Sequence, residues 1–208
     1  MRRPRVTVLR LAVALAAASL AGTGIAFAAT LPLTSKQLGA SAQSLSKSTC
    51  NQTNAGAEKT YVDQNNPTTT NSGSISVRNR SSRQRYGFLT WSLSGCAIPR
   101  AGGADRAVLS IQVSSTTYTN HTISVYPVTS SWSASSLTWN GLGGLTIGSS
   151  ASGSFQTTTG THTLDVSGDV DDAIKTGALW GWELRDTAGA NNNTATIGTV
   201  SLTLSYER

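Results

Sequence analysis

From residue 60 to the end of the chain, apolar and polar positions alternate in short runs separated by Gly, Asn and Ser, which predicts strands and turns rather than helices. In residues 74–79, Ile75 and Val77 share a face. In residues 86–93, Leu89, Trp91 and Leu93 point one way while Tyr86 and Phe88 point the other. Residues 107–113 put Ala107, Leu109, Ile111 and Val113 together, and residues 122–128 set Ile123 and Val125 against Ser124 and Tyr126. Residues 179–185 group Trp180, Trp182 and Leu184. The last run is the clearest: Val200, Leu202, Leu204 and Tyr206 face in, and Ser201, Thr203 and Ser205 face out. About eight to ten strands of this kind predict an all-β antiparallel sandwich or barrel.

Two segments depart from the alternation. Ser167 or Gly168, then Asp169, Asp171 and Asp172, then Lys175 and Gly177, predict one short helix. Acids suit the positive end of a helix dipole, a base suits the negative end, and Gly ends the turn. At the start of the chain, Arg2, Arg3, Arg5 and Arg10 precede an apolar run over residues 11–20, and Ala26-Phe27-Ala28 supplies small residues for a peptidase. This is a secretory signal, with cleavage expected after Ala28. Its apolar run is shorter than the about 20 residues a membrane span needs, so no membrane insertion of the mature chain is expected. The 208 residues therefore divide into a signal at 1–28, an N-terminal arm at 29–57 and one β-domain at 58–208.

Export changes the charge argument. The chain carries a formal +6, and losing Arg2, Arg3, Arg5 and Arg10 leaves +2. The basic pI is largely a property of the signal, so nucleic acid is not an expected partner. Cys50 and Cys96 both remain, and an oxidising exterior makes a Cys50–Cys96 disulfide the expectation. It would tie the arm to the domain across a loop of about 45 residues and contribute on the order of 4 kcal/mol in the chain-entropy account.

Catalytic constellations are thin. A serine hydrolase needs a nucleophile, a His and an orienting acid, and the two histidines, His121 and His162, lie near no G-x-S-x-G elbow. A glycosidase needs paired carboxyls, and apart from the helix acids the acidic residues stand singly. The chain is expected not to be an enzyme.

One stretch carries a family resemblance. Residues 131–140, SWSASSLTWN, resemble the W-x-x-x-x-(V/L)-T-W-N signature of DNRLRE-type domains. Residues 85–93, RYGFLTWSL, resemble that family's R-x-x-L-x-R-F-D-L strand, with Ser92 where the family has an acid. Leu164-Asp165-Val166 and residues 181–185, GWELR, resemble its closing elements. The resemblance covers about residues 58–206, and it implies a jelly-roll-like β-sandwich similar to carbohydrate-binding modules. It also implies a secreted protein that binds polysaccharide or cell wall without catalysis. The alternative is a structural or assembly protein of the cell exterior, since Thr-rich edge strands favour self-association.

The residues expected to do the binding are Arg78, Arg80, Arg83 and Arg85, because guanidinium groups grip carboxylates in two-point fashion. Tyr86 and Trp132 join them as surfaces on which a sugar ring can stack. Asp63, Asn65 and Asn71 lie in an Asn-rich stretch whose oxygens make it a candidate calcium loop. No other cofactor is expected.

Overall fold

Among the described residues the alternating runs and the segment before them form ten strands. In chain order they are β1 (Lys47–Gln52), β2 (Glu58–Asp63), β3 (Ile75–Asn79), β4 (Arg85–Thr90), β5 (Arg106–Thr116), β6 (Thr122–Pro127), β7 (Gly153–Gln156), β8 (Gly160–Asp165), β9 (Trp182–Asp186) and β10 (Asn193–Glu207), with helix α1 (Ser167–Thr176) between β8 and β9. The computed structural model describes residues 46–99, 103–117, 120–188 and 193–207. The expected signal and residues 29–45 of the expected arm lie outside them. The end of that arm is β1, which pairs with β10 from Lys47 opposite Glu207 to Gln52 opposite Leu202.

The strands follow the order β7-β6-β9-β4-β3-β10-β5-β8, with β2 added to β4 and β1 to β10. Between β3 and β4 the register holds at one pair, Arg78 opposite Arg85, and the sheet folds over there. One layer holds β8, β5 and β10, with β3 and then β1 along the far edge of β10. The other layer holds β7, β6, β9, β4 and β2. The result is the expected antiparallel, jelly-roll-like sandwich with one short helix.

The inward residues of both layers meet in a single core. Leu109, Ile111, Ile123, Leu184, Leu202 and Leu204 are fully buried there, with Ile75, Val77 and Leu89. Trp91 and Trp182 meet edge to face at 6.5 Å. Each buried indole N–H has an acceptor, as buried tryptophans require: Trp91 donates to Thr53 O at 2.9 Å and Trp182 to Asp169 Oδ2 at 2.6 Å.

Trp180 corrects the expected pattern. It does not share the core face with Trp182 and Leu184 but joins a second cluster with Val62, Phe88, Val128 and Leu137. The reason is Gly181, whose φ of +78° turns the chain between the two tryptophans. A Cβ at Gly181 would run into the Leu89 carbonyl oxygen, so the close approach of β4 also demands glycine.

Helix α1 ends as predicted, with Gly177 left-handed at φ +86°. Its start differs: neither Ser167 nor Gly168 is the cap. Val166 takes that position, and Asp165 Oδ1 accepts from the Ser167 N–H at 3.0 Å and from its hydroxyl at 2.5 Å. Val170, Ala173 and Ile174 bury the inner face, and Asp171 Oδ1 accepts from the Ala104 N–H at 2.8 Å. The Cys50–Cys96 disulfide joins β1 to the segment after β4. Among the described residues, no helix is long and apolar enough to cross a membrane.

Candidate functional site

The arginines of the sequence pattern are brought together by the β3–β4 hairpin. Arg78 and Arg85 face each other across it, and Arg80 and Arg83 occupy the exposed turn, where Ser82 is left-handed at φ 57°. Asp63, on β2 opposite Arg85, reaches into the cluster. Arg78 Nη2 donates to Asp63 Oδ1 at 3.1 Å and Arg85 Nε to Asp63 Oδ2 at 2.8 Å, with the Asp63 side chain only 3% exposed. Arg78 Nε also donates to Arg83 O at 2.6 Å. Arg85 lies over the Tyr61 ring at 5.2 Å.

The electrostatics follow from that crowding. Burial lowers the pKa of Arg78, and the nearby charges of Arg85, Arg80 and Arg83 lower it further against the pull of Asp63. Burial alone would raise the Asp63 carboxyl. The Asn65 N–H and the two guanidinium groups outweigh it, and the net shift is downward. Two guanidinium groups thus pair with one carboxylate, and Arg80 and Arg83, whose charges act on Arg78, are exposed to solvent.

The candidate calcium loop takes a different form. Asp63 Oδ1 accepts from the Asn65 N–H at 3.0 Å while both its oxygens bind arginine. Asn71 donates its amide to Tyr61 O at 3.0 Å. Asp63 thus serves the two ion pairs and the Asn65 N–H, and Asn71 the β2 backbone. Among the described residues, no three His, Cys, Asp or Glu side chains converge as metal ligands.

Tyr86 and Trp132 lie on the outer face of the second layer. The loop at residues 129–148 folds over part of that face. Trp132 meets Phe88 edge-on at 5.7 Å and donates its indole N–H to Trp180 O, while Trp139 meets Tyr86 at 5.1 Å. Both tryptophans of the signature are half-buried and form a wall beside the face. The Tyr86 hydroxyl donates to Gln84 Oε1 at 2.6 Å.

Beside Tyr86 stand three residues that the sequence reading did not single out. Glu183 and Arg185 project outward from β9, and Tyr126 from β6 lies opposite Glu183. Arg185 Nη2 donates to both Glu183 oxygens, at 2.9 and 2.8 Å. The Arg185 guanidinium carbon sits 4.5 Å from the Tyr86 ring centre and 5.4 Å from that of Tyr126. Glu183 is fully buried, and burial pushes its carboxyl upward while Arg185 pulls it back. Burial also raises the Tyr86 phenol. The alternation of residues 179–185 held the signal, since it already set Glu183 and Arg185 opposite Trp182 and Leu184.

The histidines are committed elsewhere. His121 is buried with Nδ1 2.9 Å from Asp186 Oδ2, and His162 stacks on Phe155 at 4.9 Å. Two cavities of about 440 and 340 Å³ flank α1. Arg78, Arg80, Arg83, Arg85 and Arg185 line neither of them. In comparison with known proteins, residues 51–200 match carbohydrate-binding module family 96. No curated protein matches the chain in sequence.

Proposed function

The chain belongs to carbohydrate-binding module family 96, and on that premise we propose that it is an exported, non-catalytic protein that binds polysaccharide at the cell surface or outside the cell. The observation that carries the finer reading is the β3–β4 hairpin. It gathers Arg78, Arg80, Arg83 and Arg85 near the half-buried Tyr86, with Asp63 as the carboxylate partner of Arg78 and Arg85. Exposed guanidinium groups favour carboxylate-bearing glycans, because a planar fork matches a carboxylate at two points. The likeness of residues 131–140 to DNRLRE-type domains supports the same direction. So do the secretory pattern of residues 1–28 and a disulfide that suits an oxidising exterior.

The test is binding of the purified chain from residue 29 to alginate, pectin, chitin, cellulose and cell-wall preparations, with and without calcium. Saturable retention on the acidic polysaccharides is expected. Failure to bind any of them would remove the reading. A calcium requirement would bring the loop of Asp63, Asn65 and Asn71 back into consideration.

A second reading, a structural component of the cell exterior, is favoured by one feature. Among the described residues β8 pairs on one side only, with β5, and it carries Thr161 and Thr163 on an open edge. Concentration-dependent oligomers together with no glycan retention would move the assignment there.

A further inference from the structure

We infer that Tyr86, Arg185 and Tyr126 form a subsite that takes one sugar ring by its C–H face and hydroxyl oxygens rather than by its charge; this rests on the polysaccharide-binding reading above. The guanidinium is fixed in advance. Glu183 holds Nη2 with both oxygens, at 2.9 and 2.8 Å, and the rings of Tyr86 and Tyr126 flank the guanidinium carbon at 4.5 and 5.4 Å. Such pre-organisation lowers the ordering cost a ligand meets on binding.

The pair is also electrically balanced. Glu183 lies fully buried beside Arg185 and offsets its charge, whereas at the hairpin Asp63 pairs with Arg78 and Arg85 and the exposed Arg80 and Arg83 add two further positive charges. A balanced cation attracts a distant polyanion weakly. It still donates hydrogen bonds at contact range.

Donor capacity remains to be used at the exposed end of the guanidinium. Because Glu183 takes Nη2 alone, Nη1 bonds to none of the described residues; Nε is buried and out of a ligand's reach. The Arg185 side chain is 38% exposed, and both tyrosine rings are half-buried on the same sheet face. A pyranose ring offers what this arrangement lacks: hydroxyl oxygens to accept from the guanidinium and an apolar C–H face for an aromatic surface. Gln84, bonded to the Tyr86 hydroxyl, adjoins Arg83 and Arg85 in sequence and links the platform to the hairpin.

The two contributions separate by salt, since screening weakens exposed charges and leaves contact hydrogen bonds and ring stacking largely intact. Affinity electrophoresis in alginate and pectin gels, at low and at high salt, compares the full chain with three variants. Tyr126→Ala and the double variant Glu183→Gln with Arg185→Gln, which removes the pair without stranding a buried charge, are each expected to weaken retention about tenfold at both salt levels. Arg80→Ala with Arg83→Ala is expected to weaken it at low salt only. Unchanged retention in the platform variants, with thermal unfolding confirming a native fold, would overturn the subsite and leave the polysaccharide reading standing. Platform losses confined to low salt would overturn it as well, by showing that Arg185 acts through charge. A wild-type chain retained by none of the gels would take down both.

Discussion

Asp63 illustrates how one side chain sets the character of a surface. Its carboxylate is nearly inaccessible, yet it pairs with Arg78 and Arg85 and accepts the Asn65 N–H. The folded carboxyl is held below its ordinary value despite the opposing effect of burial. A carboxylate with a depressed folded pKa contributes stability that is fully present above its unfolded value and is lost as pH falls through the folded one. Asp63→Asn should therefore cost about 2 kcal/mol at neutral pH, a figure below that for fully buried pairs because both arginines are partly exposed. The gap between variant and wild type should close only below about pH 4. Thermal unfolding across that range measures it, and a pH-independent gap would show that packing rather than the ion pair is lost.

At the scale of the elements, the informative positions are those where alternation fails. Gly181 inserts a left-handed residue between Trp180 and Trp182 and sends the two indoles to different clusters. Gly181→Ala meets the Leu89 carbonyl and a disfavoured φ together, and it should destabilise the fold by about 3 kcal/mol or more. The denaturation midpoint would check this, and a shift within error would mean that β4 and β9 can move apart. The disulfide works at the same scale. Replacing Cys50 and Cys96 by Ala should cost on the order of 4 kcal/mol and expose β1 first, since β1 is held by β10 on one edge. Hydrogen exchange would locate the loss, with residues 47–52 exchanging fastest among the strands.

For the molecule as a whole, the β3–β4 fold of the sheet matters most. The corner that turns one layer onto the other is also where Arg78 and Arg85 meet, so the charged cluster sits at the rim of the sandwich and the aromatic platform on an outer face next to it. Binding to acidic polysaccharide should weaken as salt rises, because exposed charges are screened beyond about 8–10 Å at ordinary ionic strength. Arg80→Ala with Arg83→Ala should flatten that dependence, since these two guanidinium groups are the exposed ones. Retention measured against salt checks this, and an unchanged slope would place the electrostatic contact elsewhere.

Much of the fold was legible in the sequence because alternation has a short range: Leu109, Ile111, Leu202 and Leu204 face inward through the geometry of a strand alone. The helix end at Gly177 and the Cys50–Cys96 pair were legible for equally local or compartmental reasons. The arginine run was visible as a candidate site, but its pairing was not, because Asp63 reaches it from β2 through a register that no local pattern encodes. The platform was less legible still. Tyr86, Tyr126 and Arg185 come from three strands far apart in the chain, and the strand order β6-β9-β4 makes them neighbours. Alternation alone assigned most side chains to a face, Trp180 being the exception, and their identities fixed the chemistry they carry. The tertiary structure decided which of them stand together, because cross-strand neighbours are set by topology and register, both of which depend on the whole packed sheet.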